Sequence, residues 1–252
     1  MKLTFILVLI INLWRVDATD YCVPRICPSG IKHIACKNTF QLASACPTDA
    51  YVIDLSPFIT TILDEHNTKR NQIAGGDLNG YLSATRMASM QWNDELAKLA
   101  TLNAMQCVQK HDKCHNTKDF RQSGQNLGYF GHTLKNKVYS DDWIIKNRIN
   151  RWWNEHEHAG MQFIYKFPKK YGGPKIGHFL PMVIDRNTHV GCGAIRYMNG
   201  EYLRTLIACN YATTNIVGKS AYQVGGSGND CKTGRNANFT HLCSINEVYD
   251  GL

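Results

Sequence analysis

After residue 14 this chain has no long apolar run. A bilayer takes about 20 consecutive apolar residues to cross, so no membrane span is expected. Internal repeats and low-complexity tracts are missing, as are an Arg-Gly-Asp string and a serine set in a nucleophile elbow. No two cysteines stand as C-x-x-C, the spacing that zinc ribbons and fingers use. With no nucleic-acid motif either, DNA and RNA are not expected partners.

What is present points outward from the cell. Lys2 precedes a mostly apolar stretch over residues 3–14, and Val16 and Ala18 occupy the −3 and −1 positions of a small-residue cleavage site. Residues 1–18 therefore read as a signal peptide, with the mature chain starting near Thr19. The last residues, 246–252, are polar and offer no hydrophobic tail for a lipid anchor. Ten cysteines follow the leader, at 22, 27, 36, 46, 107, 114, 192, 209, 231 and 243. An even set in an oxidising compartment reads as a disulfide framework, and a secreted, extracellular protein is expected. The sequon at Asn238, Asn-Phe-Thr, fits that compartment as a glycosylation acceptor.

The net charge is +8, and loss of Lys2, Arg15 and Asp17 with the leader lowers it by one. The charge is dispersed apart from Lys166, Lys169, Lys170 and Lys175, which share one aromatic, glycine-rich loop. A solvated loop accounts for that cluster more simply than a dedicated polyanion site does.

Residues 19–55 form a cysteine-rich segment with no helical period. A helix is expected from Ser56 as N-cap and Pro57 at N1, with Ile59, Ile62, Leu63, His66, Arg70 and Ile73 on one face and a stop at Gly75-Gly76. A second begins near Asn93 and carries Leu96, Leu99, Ala100, Asn103 and Cys107 inward. A third runs from Ser140 or Asp141 to about His158. Strands over 189–198 and 201–212 meet at Asn199-Gly200, a strong hairpin signal. Counting back from that turn sets Cys192 opposite Ile207, with Cys209 diagonal, so a slip of one pair would let the two sulfurs bond.

Four stretches stand out together: His66-Asn67-Thr68-Lys69-Arg70, Gly124-Gln125-Asn126-Leu127, Gly177-His178-Phe179-Leu180-Pro181-Met182-Val183, and Leu206-Ile207-Ala208-Cys209-Asn210-Tyr211. In this order, and with ten cysteines, the chain resembles the CAP superfamily of cysteine-rich secretory proteins, antigen 5 and pathogenesis-related proteins. The four N-terminal cysteines and His111-Asp112-Lys113-Cys114 narrow the resemblance to the insect antigen 5 group, over about residues 20–218. It implies a three-layer α-β-α sandwich with a stapled N-terminal segment: segment 19–55, CAP domain 56–218, and a tail over 219–252 with one cysteine pair. It also implies the bridges Cys22–Cys36, Cys27–Cys114, Cys46–Cys107 and Cys192–Cys209, leaving Cys231 for Cys243. Two of these tie the N-terminal segment to the second helix.

The family's cleft holds two histidines and two acidic residues. By position these fall on His111, His178, Glu155 and, in the fourth place, Gln125, which departs from the two-carboxylate form. Two neutral imidazoles can bind Zn²⁺, with Glu155 helping directly or through water. An amide at Gln125 cannot take up a proton near neutral pH, which weakens a two-carboxylate hydrolytic mechanism. The same four side chains could equally be a hydrogen-bonded cluster that holds the sandwich together. His66 reads as a buried, hydrogen-bonded histidine, and Trp92, Trp152 and Trp153 as packing residues.

The function implied is non-catalytic binding in a secretion such as saliva, venom or seminal fluid. The partner would be an extracellular protein or receptor, or a small lipid or sterol held between helices. No cofactor is required, Zn²⁺ in the cleft is the candidate ion, and a monomer is expected. The alternative is a metal-dependent hydrolase using His111, His178 and Glu155.

Overall fold

The computed structural model describes residues 19–135 and 138–250. The expected signal peptide, 1–18, lies outside them. A twisted sheet forms the middle layer, built from β1 (Tyr51–Ile53), β2 (Gln91–Trp92), β3 (Gly124–Thr133), β4 (His189–Asn199) and β5 (Tyr202–Tyr211). The order is β1-β4-β5-β3, antiparallel throughout, with β2 adding a short parallel pairing to the start of β4. Helices α1 (Ile59–Gly75), α3 (Asp141–Trp153), α4 (Met161–Tyr165) and α5 (Phe179–Val183) cover one face. Helix α2 (Asp94–Ala104) and the N-terminal segment cover the other. The molecule is thus a three-layer α-β-α sandwich.

Local chemistry explains most element ends. Asn93 caps α2 by accepting from the Leu96 N–H at 2.8 Å, and Ser140 caps α3 by accepting from the Trp143 N–H at 3.2 Å. Helix α1 ends in a Schellman motif: Gly76, at φ +84°, donates to the Ile73 carbonyl, and Asp77 to that of Gln72. Its start differs from expectation. Residues 56–58 form a 3-10 turn, and Ser56 caps nothing; the Asp54 carboxylate takes its N–H at 2.9 Å instead. Helix α3 also stops early, at Trp153, and tightens into a 3-10 turn over Asn154–Glu157.

The hairpin turn sits one residue later than its Asn-Gly signal suggested. Asn199 pairs with Tyr202, so Gly200 and Glu201 make the turn, and Gly200 supplies the positive φ of +61° that its first central position requires. That shift sets Cys192 directly opposite Cys209, with Cα atoms 4.0 Å apart, where they form a disulfide. The other bridges join Cys22 to Cys36, Cys27 to Cys114, Cys46 to Cys107 and Cys231 to Cys243.

Between sheet and α2 the fit is close. A Cβ at Gly191 would come within 2.2 Å of the Ala97 nitrogen, and one at Gly193 within 2.4 Å of the Thr101 backbone. Residues after 218 are built into the main core: Tyr222 and Leu242 are fully buried in it, and Cys243 donates its N–H to the Met87 carbonyl. Asn238 is exposed.

Candidate functional site

The cleft opens where β3, the 3-10 turn after α3 and the segment leading into α5 converge. Gln125 and Asn126 are consecutive on β3, so their side chains leave opposite faces of the sheet. Three glycines, Gly124, Gly128 and Gly131, interrupt the alternation of this strand and hid it from the sequence. Gly128 has a packing role, since a Cβ there would meet the Trp152 ring and the Arg148 stem at 3.1 and 3.2 Å.

Asn126 fixes the far side of the cleft. Its amide donates to the His178 carbonyl at 2.9 Å and to the Tyr211 hydroxyl at 3.2 Å. That hydroxyl lies 3.0 Å from His66 Nε2, while His66 Nδ1 lies 2.7 Å from the Ile62 carbonyl. Full burial pushes His66 down to about 4, so it remains a neutral structural link from α1 to the cleft and is no ligand.

Glu155 and His178 form a tight pair. The His178 imidazole Nδ1 lies 2.6 Å from Glu155 Oε1, and Oε2 accepts the backbone N–H groups of His178 and Phe179 at 2.7 and 3.3 Å. Burial would raise the Glu155 carboxyl, but the imidazole and the two N–H groups outweigh it and hold the group below its ordinary range. Both oxygens are therefore engaged. Trp152 stacks on the His178 ring with centroids 6.3 Å apart.

Gln125 orients His111. Its Nε2 donates to Asp112 Oδ2 at 2.8 Å and to Asn210 Oδ1 at 2.9 Å, which turns its carbonyl oxygen toward His111 Nδ1 at 2.9 Å. That oxygen can only accept, so Nδ1 is the ring nitrogen that donates here. Asp112 is the residue that sequence reasoning passed over. It is buried, accepts from Asn103 at 3.0 Å, and lies 2.7 Å from His115 Nδ1. Burial works against its charge, and these partners hold it ionised, below the ordinary carboxylate range. Its place directly after His111 was the available signal.

His178, Lys175 and Pro174 lie where two grooves meet. One, of about 460 Å³, includes His111, Lys169 and Tyr171; the other, of about 510 Å³, includes Glu155, Glu157, His158, Arg148 and Arg151. Among the described residues, Cys27, His33 and Cys114 are the trio whose metal-ligating atoms all lie within 4.8 Å of one another. The two sulfurs there are already bonded to each other, so no thiolate is available to a metal. His111, Glu155 and His178 do not converge that closely.

Known proteins resemble this chain in sequence and fold. The profile of the CAP family, described as the cysteine-rich secretory protein family, matches residues 63–211. Venom allergen-1 of Aedes aegypti is 35% identical over 229 residues, covering 90% of this chain and 88% of the relative. The antigen 5 like allergen Cul n 1 of Culicoides nubeculosus is 40% identical over 195 residues, covering 73% of this chain and 87% of the relative. The crystal structure of NaASP2 with Zn²⁺ superposes with a TM-score of 0.59 at 21% identity, covering 79% of this chain and all of that one.

Proposed function

Because this chain belongs to the CAP family of cysteine-rich secretory proteins, as an antigen 5-like member, we propose that it acts outside the cell by binding, without catalysis. Its five disulfides suit an oxidising compartment. Among the described residues no helix is long and apolar enough to cross a membrane.

The observation that carries the reading is the state of the cleft's acid–base groups. A general base needs a free lone pair on the substrate side. Glu155 has both oxygens occupied by His178 and Phe179, and Gln125 is an amide held by Asp112 and Asn210. Neither is poised to take a proton, which disfavours a two-carboxylate hydrolytic mechanism. The two imidazoles suit a divalent ion better: each has Nδ1 held by an oxygen, leaving Nε2 as donor. Zn²⁺ bound there by His111 and His178 would act as a Lewis acid or as a bridge to a ligand, with Glu155 and Gln125 behind the imidazoles rather than on the metal.

The shape of the surface favours a polar partner over a sterol. The apolar pocket beneath Phe163, Phe167, Leu180 and Ile216 holds about 20 Å³, room for one water, whereas the larger grooves are lined by charged groups. Native mass spectrometry of the exported protein, with hydrolase assays on a panel of ester and peptide substrates, tests the reading. Binding without turnover is expected. Metal-dependent turnover that disappears in His111→Ala/His178→Ala, while circular dichroism shows the fold intact, would overturn it.

A further inference from the structure

We propose that the groove beside the Glu155–His178 pair is an oxyanion site, taking a phosphate or sulfate group with Arg148 and Arg151 of α3 and Lys175 as its cationic contacts. This rests on the binding reading above and names the ligand class.

Arg148 is a cation without a carboxylate counter-charge among the described residues. Several other enclosed basic groups here are matched by carboxylates, Arg86 with Glu247 at 2.6 Å, Lys69 with Glu65 at 2.5 Å and Arg196 with Asp141 at 2.5 Å, and the fully buried Arg70 is ringed by backbone carbonyls instead. Arg148 is half-buried, yet among the described residues no carboxylate lies within ion-pair distance of it. Its Nη1 donates to the Tyr129 carbonyl at 2.6 Å, Nε and Nη2 donate to Asn147 Oδ1, and the guanidinium covers the Phe130 ring at 5.3 Å. Burial first, and then the neighbouring charge of Arg151, push it down to about 10. Two adjacent guanidiniums with no acid between them disfavour each other, and an arriving anion relieves both.

The surroundings complete a site. Arg148, Arg151, Lys175, His158 and His178 line one groove of about 510 Å³, inside the roughly 300–1,000 Å³ that small-ligand sites occupy. Two carboxylates share it. Glu155 has both oxygens engaged, as described, and Glu157 is exposed at the rim. Lys175 and His178 also border the second groove, where Lys169 adds charge, so a longer anion has a path between the two. The lysine loop that reads as plain solvated surface in the sequence thus sends two of its four members into the cleft.

The test is calorimetric titration of the whole exported protein with inorganic phosphate and with glucose 6-phosphate, at low salt and with a chelator present, so that no cleft metal recruits the anion. Saturable binding is expected, about tenfold weaker in Arg151→Gln and in Lys175→Gln, unchanged in the remote Lys32→Gln, and tighter in Glu157→Gln. Arg148 is left intact because its bond to the Tyr129 carbonyl braces β3. Tighter binding of the sugar ester would assign an organic ester as ligand, and equal binding the free ion. No saturable binding with the chelator present, or equal loss in Lys32→Gln, would overturn the proposal. The non-catalytic reading would stand in each of those cases, since it fails only on turnover.

Discussion

Replacing Gln125 with glutamate would set a second carboxylate against Asp112. In the present structure the Gln125 amide nitrogen is 2.8 Å from Asp112 Oδ2 and 2.9 Å from Asn210 Oδ1, so both contacts have a proton between them. In the variant both become oxygen against oxygen. Two full charges at 2.8 Å in an effective dielectric of 20 would repel by roughly 6 kcal/mol, an upper bound. The pair would instead share a proton, and its upper titration step would climb above the ordinary 4.3 of a glutamate. A rise of about 2 units costs about 2.7 kcal/mol at pH 7, in addition to about 1 kcal/mol for each hydrogen bond lost.

The pH dependence has a definite sign. A carboxyl whose pKa is raised in the folded state favours folding below its unfolded pKa, and that contribution is lost as pH rises through the folded value. The deficit of Gln125→Glu should therefore be small near pH 4, grow between about pH 4.3 and 6.3, and level off above. Urea unfolding followed by tryptophan fluorescence at half-unit pH steps measures this directly. Adding Asp112→Asn should restore much of the loss, since the new amide can donate to the glutamate. A variant as stable as the parent at pH 7, or a deficit that shrinks as pH rises, would refute the Asp112–Gln125–His111 arrangement.

Two further outcomes concern the frame. Arg70 is fully buried and donates to the carbonyls of Ala88, Met182, Ile184 and Asp185, so Arg70→Met should strand four acceptors and cost at least about 4 kcal/mol, read as a collapse in thermal midpoint or exported yield. Gly193→Ala should cost about 1–3 kcal/mol or more by forcing α2 off the sheet, whereas Gly172→Ala, with open space around it, should leave the melting temperature unchanged.

Legibility followed the range of the signal. The caps at Asn93 and Ser140 and the stop at Gly76 are chemistry within four residues, and the sequence shows them. The strand over 124–133 was hidden because its glycines pack against Trp152, Arg148 and Arg204, contacts with no local trace. The hairpin register was misplaced by one pair, since an Asn-Gly turn and a Gly-Glu turn both supply a positive φ, and only the sheet's packing chooses between them. Glu155, His178, His111 and Gln125 were recognisable from their motifs. Their hydrogen-bond roles were not, because those depend on Asp112, Asn210 and the N–H groups at the start of α5.

The sequence by itself determined the three longer helices, the existence of the hairpin, the even cysteine set and the motifs that mark a CAP protein. These rest on local propensity and residue identity, which fold context does not change. Tertiary structure alone decided that Cys192 faces Cys209, that the Gln125 amide donates to the charged Asp112, and that Arg148 stands without a carboxylate. Each depends on which distant groups share a low-dielectric space, and burial sets the energy of a charge or an amide far more strongly than its neighbours in sequence do.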